Sequence, residues 1–290
     1  EKHHAPEGYE ARVLIRWGDP VVKGAPAFDP KAQTAAAQAL QFGYNNDYVG
    51  YVPIDGSAEH GLLVVNHEYT NEELMFPNAA AKITKEDRFG YLTPEIAAVE
   101  MAAHGGSVLE VRKVDGRWQV EADSPLNRRL TVSTPMTLSG PAAGDARLRT
   151  SVDATGTRVL GTLNNCAGGM TPWGTWLMAE ENFHGYFLGK LPEGHAETAA
   201  YKRYGVGAGE YGWGKHDSRF DLASEPNEAN RFGWMVEVDP ADPASTPVKR
   251  TALGRFKHEG ADVSVNRDGR VVVYSGDDER FDYVYRFVSN

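Results

Sequence analysis

The chain's only cysteine, Cys166, lies in a polar loop beside Asn164 and Asn165, just ahead of Gly168 and Gly169. The turn formers Thr171-Pro172 and Gly174 follow, and then an apolar run, Trp176-Leu177-Met178, that reads as a buried strand. Two adjacent carboxylates, Glu180 and Glu181, stand at its end. A thiol before a strand and a carboxylate pair after it form a candidate set of metal ligands. Thiolate selects iron, zinc or copper, while carboxylate and amide oxygens also suit calcium. A lone cysteine is more often a small buried hydrophobe. The asparagines and glycines around this one argue against an apolar core position.

The whole chain sets the frame for that site. Its 290 residues are 41% hydrophobic and 24% charged, enough for a full core in one large domain or two smaller ones. No linker-like run divides it, so residues 1–290 are read as one domain. With 40 acidic against 30 basic residues, the net charge is −10, which excludes nucleic acid and anionic membranes as expected partners and favours cations. No apolar run approaches the length of a membrane span. The chain begins at Glu1 without a methionine, which leaves room for an upstream export signal. His3 and His4 are read as part of a terminus rather than as ligands.

Short apolar runs separated by turn signals predict a mainly-β protein. Strands are expected at Tyr9 to Trp17, Tyr48 to Ile54, Leu62 to Val65, Phe232 to Val238, Val271 to Tyr274 and Tyr283 to Val288. Asp115-Gly116 between Val108–Val114 and Trp118–Ala122 marks a hairpin. Thr93-Pro94 caps the one clear helix, which stops at Gly105-Gly106. Residues 188–230 are polar and irregular. One pattern occurs three times: Gly61 opens a strand ending in Glu68, Gly174 one ending in Glu181, and Gly269 one ending in Asp277-Asp278. Strands holding equivalent places in a radial array would bring those acids to one axis, as in a propeller. The competing reading is three unrelated strand ends.

The phrases NHEYTNEE (66–73), NNCAGGMTPWGTWLMAEEN (164–182), NRFGWMVEVDP (230–240), KHEGADV (257–263) and YSGDDERFDYVYRFVS (274–289) resemble the PhoX-type alkaline phosphatases. The cysteine phrase is the most specific of them. The resemblance implies a six-bladed β-propeller, of which this chain would supply about half the blades. It implies export by the twin-arginine route to the periplasm or beyond, and an iron(III)–calcium cluster that hydrolyses phosphate monoesters. Family members are longer, so a later segment of the same protein, with another metal-binding acid and a phosphate-binding arginine, is expected to complete the site. By motif position, Cys166 and Glu259 would ligate iron and Glu181 would be a cluster carboxylate. Glu68 and Asp278 are acids of matching phrases without an assigned role. Asn165, His67 and His258 are expected to support the ligands from behind.

In such a cluster calcium takes carboxylate and phosphate oxygens, while iron(III) acidifies a bound oxygen that attacks phosphorus in place of a protein nucleophile. The thiolate gives the d-block ion a ligand that calcium does not prefer. Two other functions compete. A calcium-dependent propeller lactonase or phosphotriesterase also needs converging carboxylates but has no use for Cys166. A non-catalytic propeller would hold structural calcium at the same strand ends.

Overall fold

A computed structural model describes residues 4–290, and His3 lies outside them. Fourteen strands and a few short helices form three separate sheets among the described residues. The first holds β1 (Asn46–Pro53), β2 (His60–His67), β3 (Gly105–Val114), β4 (Arg117–Val120) and β5 (Arg128–Leu130). The second holds β6 (Pro135–Ser139), β7 (Arg158–Leu160), β8 (Asn165–Met170), β9 (Trp176–Glu180), β10 (Met235–Val238) and β11 (Val248–Arg250). Its order is β7-β6-β11-β10-β9-β8, antiparallel except where β11 runs parallel to β6. The third is the meander β12 (Asp262–Val265), β13 (Val271–Gly276) and β14 (Val284–Val288).

Each sheet ends in a hairpin of the same design: β1–β2, β8–β9 and β12–β13. In the first, pairing advances from Asn46↔His67 to Val49↔Val65, three residues on one strand against two on its partner. In the second it advances from Asn165↔Glu180 to Gly168↔Met178, again three against two. In the third it goes from the bridge His258↔Asp277 to Asp262↔Tyr274, four against three. One extra residue on the first strand is a β-bulge, which bends the strand and re-aims a side chain. A matching backbone bond closes each hairpin: Glu68 N–H to Asn45 O (3.0 Å), Glu181 N–H to Asn164 O (2.9 Å) and Asp278 N–H to Lys257 O (3.0 Å). In the first two, the carbonyl belongs to an asparagine in the left-handed region, Asn45 at φ 48° and Asn164 at φ 47°.

The three hairpins meet along their first strands. Asn66 Nδ2 donates to the carbonyls of Cys166 (2.6 Å) and Ala167 (2.9 Å), joining the first hairpin to the second. Ala261 N–H donates to Gly168 O at 3.3 Å, joining the second to the third. A Cβ at Gly169 would stand 1.8 Å from Ala261 O, so only glycine permits that approach. The acidic ends of the three strands therefore share one region, as the threefold pattern in the sequence predicts.

A single large core backs this region. It unites Leu62, Val64 and Val108 of the first sheet with Trp176, Met178, Val236 and Val238 of the second. The predicted helix is present as Pro94–Ala103, with the Thr93 hydroxyl accepting from Ile96 N–H. Asp115 (φ 49°) and Gly116 (φ 75°) form the predicted two-residue turn, both left-handed as that turn demands. The expected first strand is not one. Tyr9 to Trp17 belongs to no strand and makes no ladder bonds, with Tyr9 77% and Val13 63% exposed. Alternation reports a half-buried extended chain, but a strand also needs a free sheet edge to pair with. Residues 188–230 fold as 3₁₀ turns around the helix Thr198–Tyr204, and bury Tyr201, Trp213, Phe220 and Leu222 in the main core.

Candidate metal centre

Strand geometry decides which side chains reach the junction of the hairpins. Successive residues of a strand face opposite sides, so of Glu180 and Glu181 only one can point there. Glu180 turns into the core and is fully buried. It takes the Lys249 ammonium at 2.7 Å, the Thr162 hydroxyl at 2.8 Å and the N–H groups of Gly233 (3.0 Å) and Trp234 (3.1 Å). Glu181, one residue on, faces the junction with its Oε1 buried and without a partner. The adjacent carboxylates are thus one structural anion and one candidate ligand. Lys249→Ala leaves Glu180 a buried unpaired charge, and should cost about 3–5 kcal/mol, read as a fall in the denaturant midpoint.

Cys166 sits in the bulge of β8, 7% exposed, with its Sγ 3.5 Å from Asp47 Oδ2 and 3.6 Å from Glu259 Oε1. Ligand atoms of Asp47, Glu68 and Cys166 lie within 4.8 Å of one another, and so do those of Cys166, Glu181 and Glu259. The thiol is common to both groups. Asp278 is outside them, but its charge acts on Glu181 and Glu259. The structure therefore brings together Cys166, Glu68, Glu181 and Glu259, with Asp278 at the margin. Asp47 escaped notice in the sequence. The signal was there: Asn45-Asn46-Asp47 copies Asn164-Asn165-Cys166, and both third residues occupy a bulge.

The three residues expected to support the ligands turn away from them. His67 bonds through Nε2 to Ser107 Oγ (2.7 Å) and to the Gly43 N–H (3.3 Å). His258 bonds Ser275 Oγ (2.8 Å) and Gly254 O (3.1 Å). Asn165 Nδ2 donates to Thr162 Oγ1 at 2.7 Å. Each immediately precedes a junction residue, so alternation puts its side chain on the opposite side. They anchor the strands from behind and touch none of the candidate ligands in the bonds they make.

The electrostatics suit a cation. Burial, followed by the charges of Asp47 and Glu259, pushes Glu68 up to about 7. Burial, then Asp278, Glu259 and Glu68, pushes Glu181 up to about 8. Glu259 is raised by burial and by Asp278. Burial and then three carboxylates push the Cys166 thiol far up, so the metal-free site holds a neutral thiol and not a nucleophile. Lys257 is the cation that acts against the raised Glu181, and it also pairs with Glu279 at 2.6 Å. A bound cation would reverse every one of these shifts. The donor set is a thiol and four carboxylates, one of them with a buried oxygen that has no partner, and it fits a mixed site for one thiophilic and further oxygen-preferring ions. Beside it an open groove of about 560 Å³, lined by Tyr48, Met170, Glu259 and Tyr274, gives access.

The raised carboxylates also set a pH dependence. Their folded-state values lie above the unfolded ones, so the metal-free fold binds protons more tightly than the unfolded chain. Their stabilising contribution is full below about 4.5 and is lost as pH rises through about 7 for Glu68 and about 8 for Glu181. The denaturant midpoint of metal-free protein should fall as pH rises between those limits, and saturating metal should abolish that fall, because metal holds the same ligands deprotonated in the folded state. A metal-free midpoint flat over that window would contradict the like-charge picture.

A mainly-β protein whose hairpin ends deliver a shared thiol and a ring of acids belongs to the class with candidate metal-binding sites at the junction of sheets. The chain is a member of the alkaline phosphatase PhoX family, whose model it matches over residues 1–290. It is similar to the structure of Pseudomonas fluorescens PhoX in complex with vanadate, a transition state analogue, with 47% sequence identity and a TM-score of 0.89. The match covers 98% of this chain and 48% of that one, so the chain spans about half the length of the solved relative. No curated protein sequence matches it.

Proposed function

We propose that this chain forms part of a metal-dependent phosphatase that hydrolyses phosphate monoesters at an iron(III)–calcium cluster. One observation carries the proposal: in a PhoX-family chain, three bulged hairpins place one thiol in common between two groups of carboxylates. Cys166 would hold iron, Glu259 and Glu181 would stand beside it, and Glu68, Asp47 and Asp278 would offer oxygens to calcium. Bound there, such ions supply Lewis acidity and the positive charge that a phosphoryl transition state needs. The chain's own residues fix the geometry. The bulges aim the thiol and Asp47, the shared backbone bonds hold Glu68, Glu181 and Asp278 at the ends of their strands, and the Lys249–Glu180 pair locks β9 from behind.

The three sheets, joined along β1, β8 and β12, fit half of a six-bladed propeller. A further segment of the same protein would supply the remaining blades, another metal-binding acid and the phosphate-binding arginine. An exported, periplasmic or extracellular setting goes with this proposal. A calcium-only lactonase or phosphotriesterase, or a structural calcium propeller, leaves a buried thiol among carboxylates without a purpose. Elemental analysis of the whole purified protein for iron and calcium, with hydrolysis of a generic phosphate monoester, tests the proposal. Iron and calcium with turnover are expected; an active protein containing calcium alone would overturn it in favour of the calcium hydrolase.

A further inference from the structure

Behind the junction, a single hydrogen-bonded chain joins Asn164 to the core. Asn164 Oδ1 accepts from Asn182 N–H at 2.5 Å, and its Nδ2 donates to the Tyr186 hydroxyl at 3.0 Å. That hydroxyl lies 2.9 Å from His104 Nε2, and His104 Nδ1 lies 2.7 Å from the Glu100 carbonyl. A carbonyl only accepts, so Nδ1 carries the imidazole proton. Burial pushes His104 down to about 4, so Nε2 is a bare acceptor and the tyrosine hydroxyl must donate to it. With its proton given to His104, the nearer acceptor than the Glu68 carbonyl at 3.5 Å, the hydroxyl accepts from Asn164, which fixes which way that amide faces. The tyrosine ring is itself held, stacked on Tyr211 at 4.5 Å and 7° and packed on Trp213 at 4.8 Å.

Asn164 occupies a decisive position. Its left-handed backbone opens β8 one residue before the bulge, its carbonyl accepts from Glu181 N–H, and its amide holds Asn182. One side chain thus sets both the start of the strand carrying Cys166 and the end of the strand carrying Glu181. The equivalent Asn45 of the first hairpin shares the φ and the backbone bond, whereas the bonds through the amide to a tyrosine and a following N–H belong to Asn164.

We infer that Tyr186 is a positioning residue for the metal centre, acting through Asn164 to hold Cys166 and Glu181 at the separation that a shared ion requires. The inference rests on the metal reading of the site. Tyr186→Phe keeps the stacked ring and removes the hydroxyl. Asn164→Gly keeps the left-handed backbone and removes the amide. Both should fold with the circular dichroism of the parent and lose metal to a chelator about 10–100-fold faster, followed by the decay of thiolate-to-iron absorption and by iron content. The double variant should be no worse than either single one.

Thermal unfolding of the metal-free proteins separates positioning from general support. A merely structural tyrosine would lower the metal-free midpoint and leave the chelator rate of the folded, loaded protein unchanged, and that result would overturn the inference. Parent protein that holds metal while Tyr186→Phe holds it as tightly would overturn the inference alone. Parent protein that takes up no metal would overturn the metal reading first, and the inference with it.

Discussion

Exchanging Cys166 for serine should strip the protein of the iron proposed for its metal centre while leaving its sheets intact. The thiol is the one ligand common to both carboxylate groups, so its loss weakens both at once. A neutral hydroxyl in that bulge is a poor replacement for thiolate toward a d-block ion, and the fall in iron affinity should be at least about 100-fold. The fold has little to lose. Sγ makes only long contacts, to Asp47 at 3.5 Å and to Glu259 at 3.6 Å, and the backbone bonds that shape the bulge do not involve the side chain. Iron content, any thiolate-to-iron colour and far-ultraviolet circular dichroism measure this directly. A serine variant with its full iron content would make the cysteine a bystander and remove the most specific support for iron.

The second large effect concerns two acids on different hairpins. In the whole protein, Glu181→Gln and Glu259→Gln should each release the metal proposed for this site and lower the proposed phosphatase activity by about 100-fold or more, and the double variant should be little worse than either. Residues that serve one cluster fail together, because the charge arrangement is lost with the first of them. The metal-free proteins should move the other way. Burial and like charges push Glu181 up to about 8, so a neutral amide there relieves repulsion and should raise the denaturant midpoint above that pH. A gain in metal-free stability beside a loss of metal and activity marks a ligand. Small additive losses in both states would mean that the acids do not share a site.

The sequence disclosed much of this site because ligand-bearing phrases are short and local. The strand ending in Glu181, the turn at Asp115-Gly116 and the Thr93 cap each follow from neighbouring residues. What stayed hidden depends on pairing. Asp47 shares the Asn-Asn lead-in of Cys166, but becomes its partner only when two bulged hairpins lie side by side. Glu180 and Glu181 look alike on paper, and strand parity sends one to Lys249 and the other to the junction. Parity also turned His67, His258 and Asn165 away from the ligands they adjoin. Tyr9 to Trp17 alternates like a strand yet finds no edge, which no local pattern reports.

The shared hairpin design has an evolutionary consequence. What repeats is one extra residue in the first strand and one backbone bond at the end of the second, and neither depends on a particular side chain. A gene segment encoding such a unit could be duplicated and its sequence rewritten almost entirely while each copy still aimed its bulged residue at the same point. Asp47, Cys166 and Glu259 occupy corresponding places, 119 and 93 residues apart, with three different chemistries. Descent from a common hairpin would therefore leave its trace in ladder register rather than in letters. Diversifying the bulged residue is then a route by which one ancestral oxygen site could acquire a sulfur ligand.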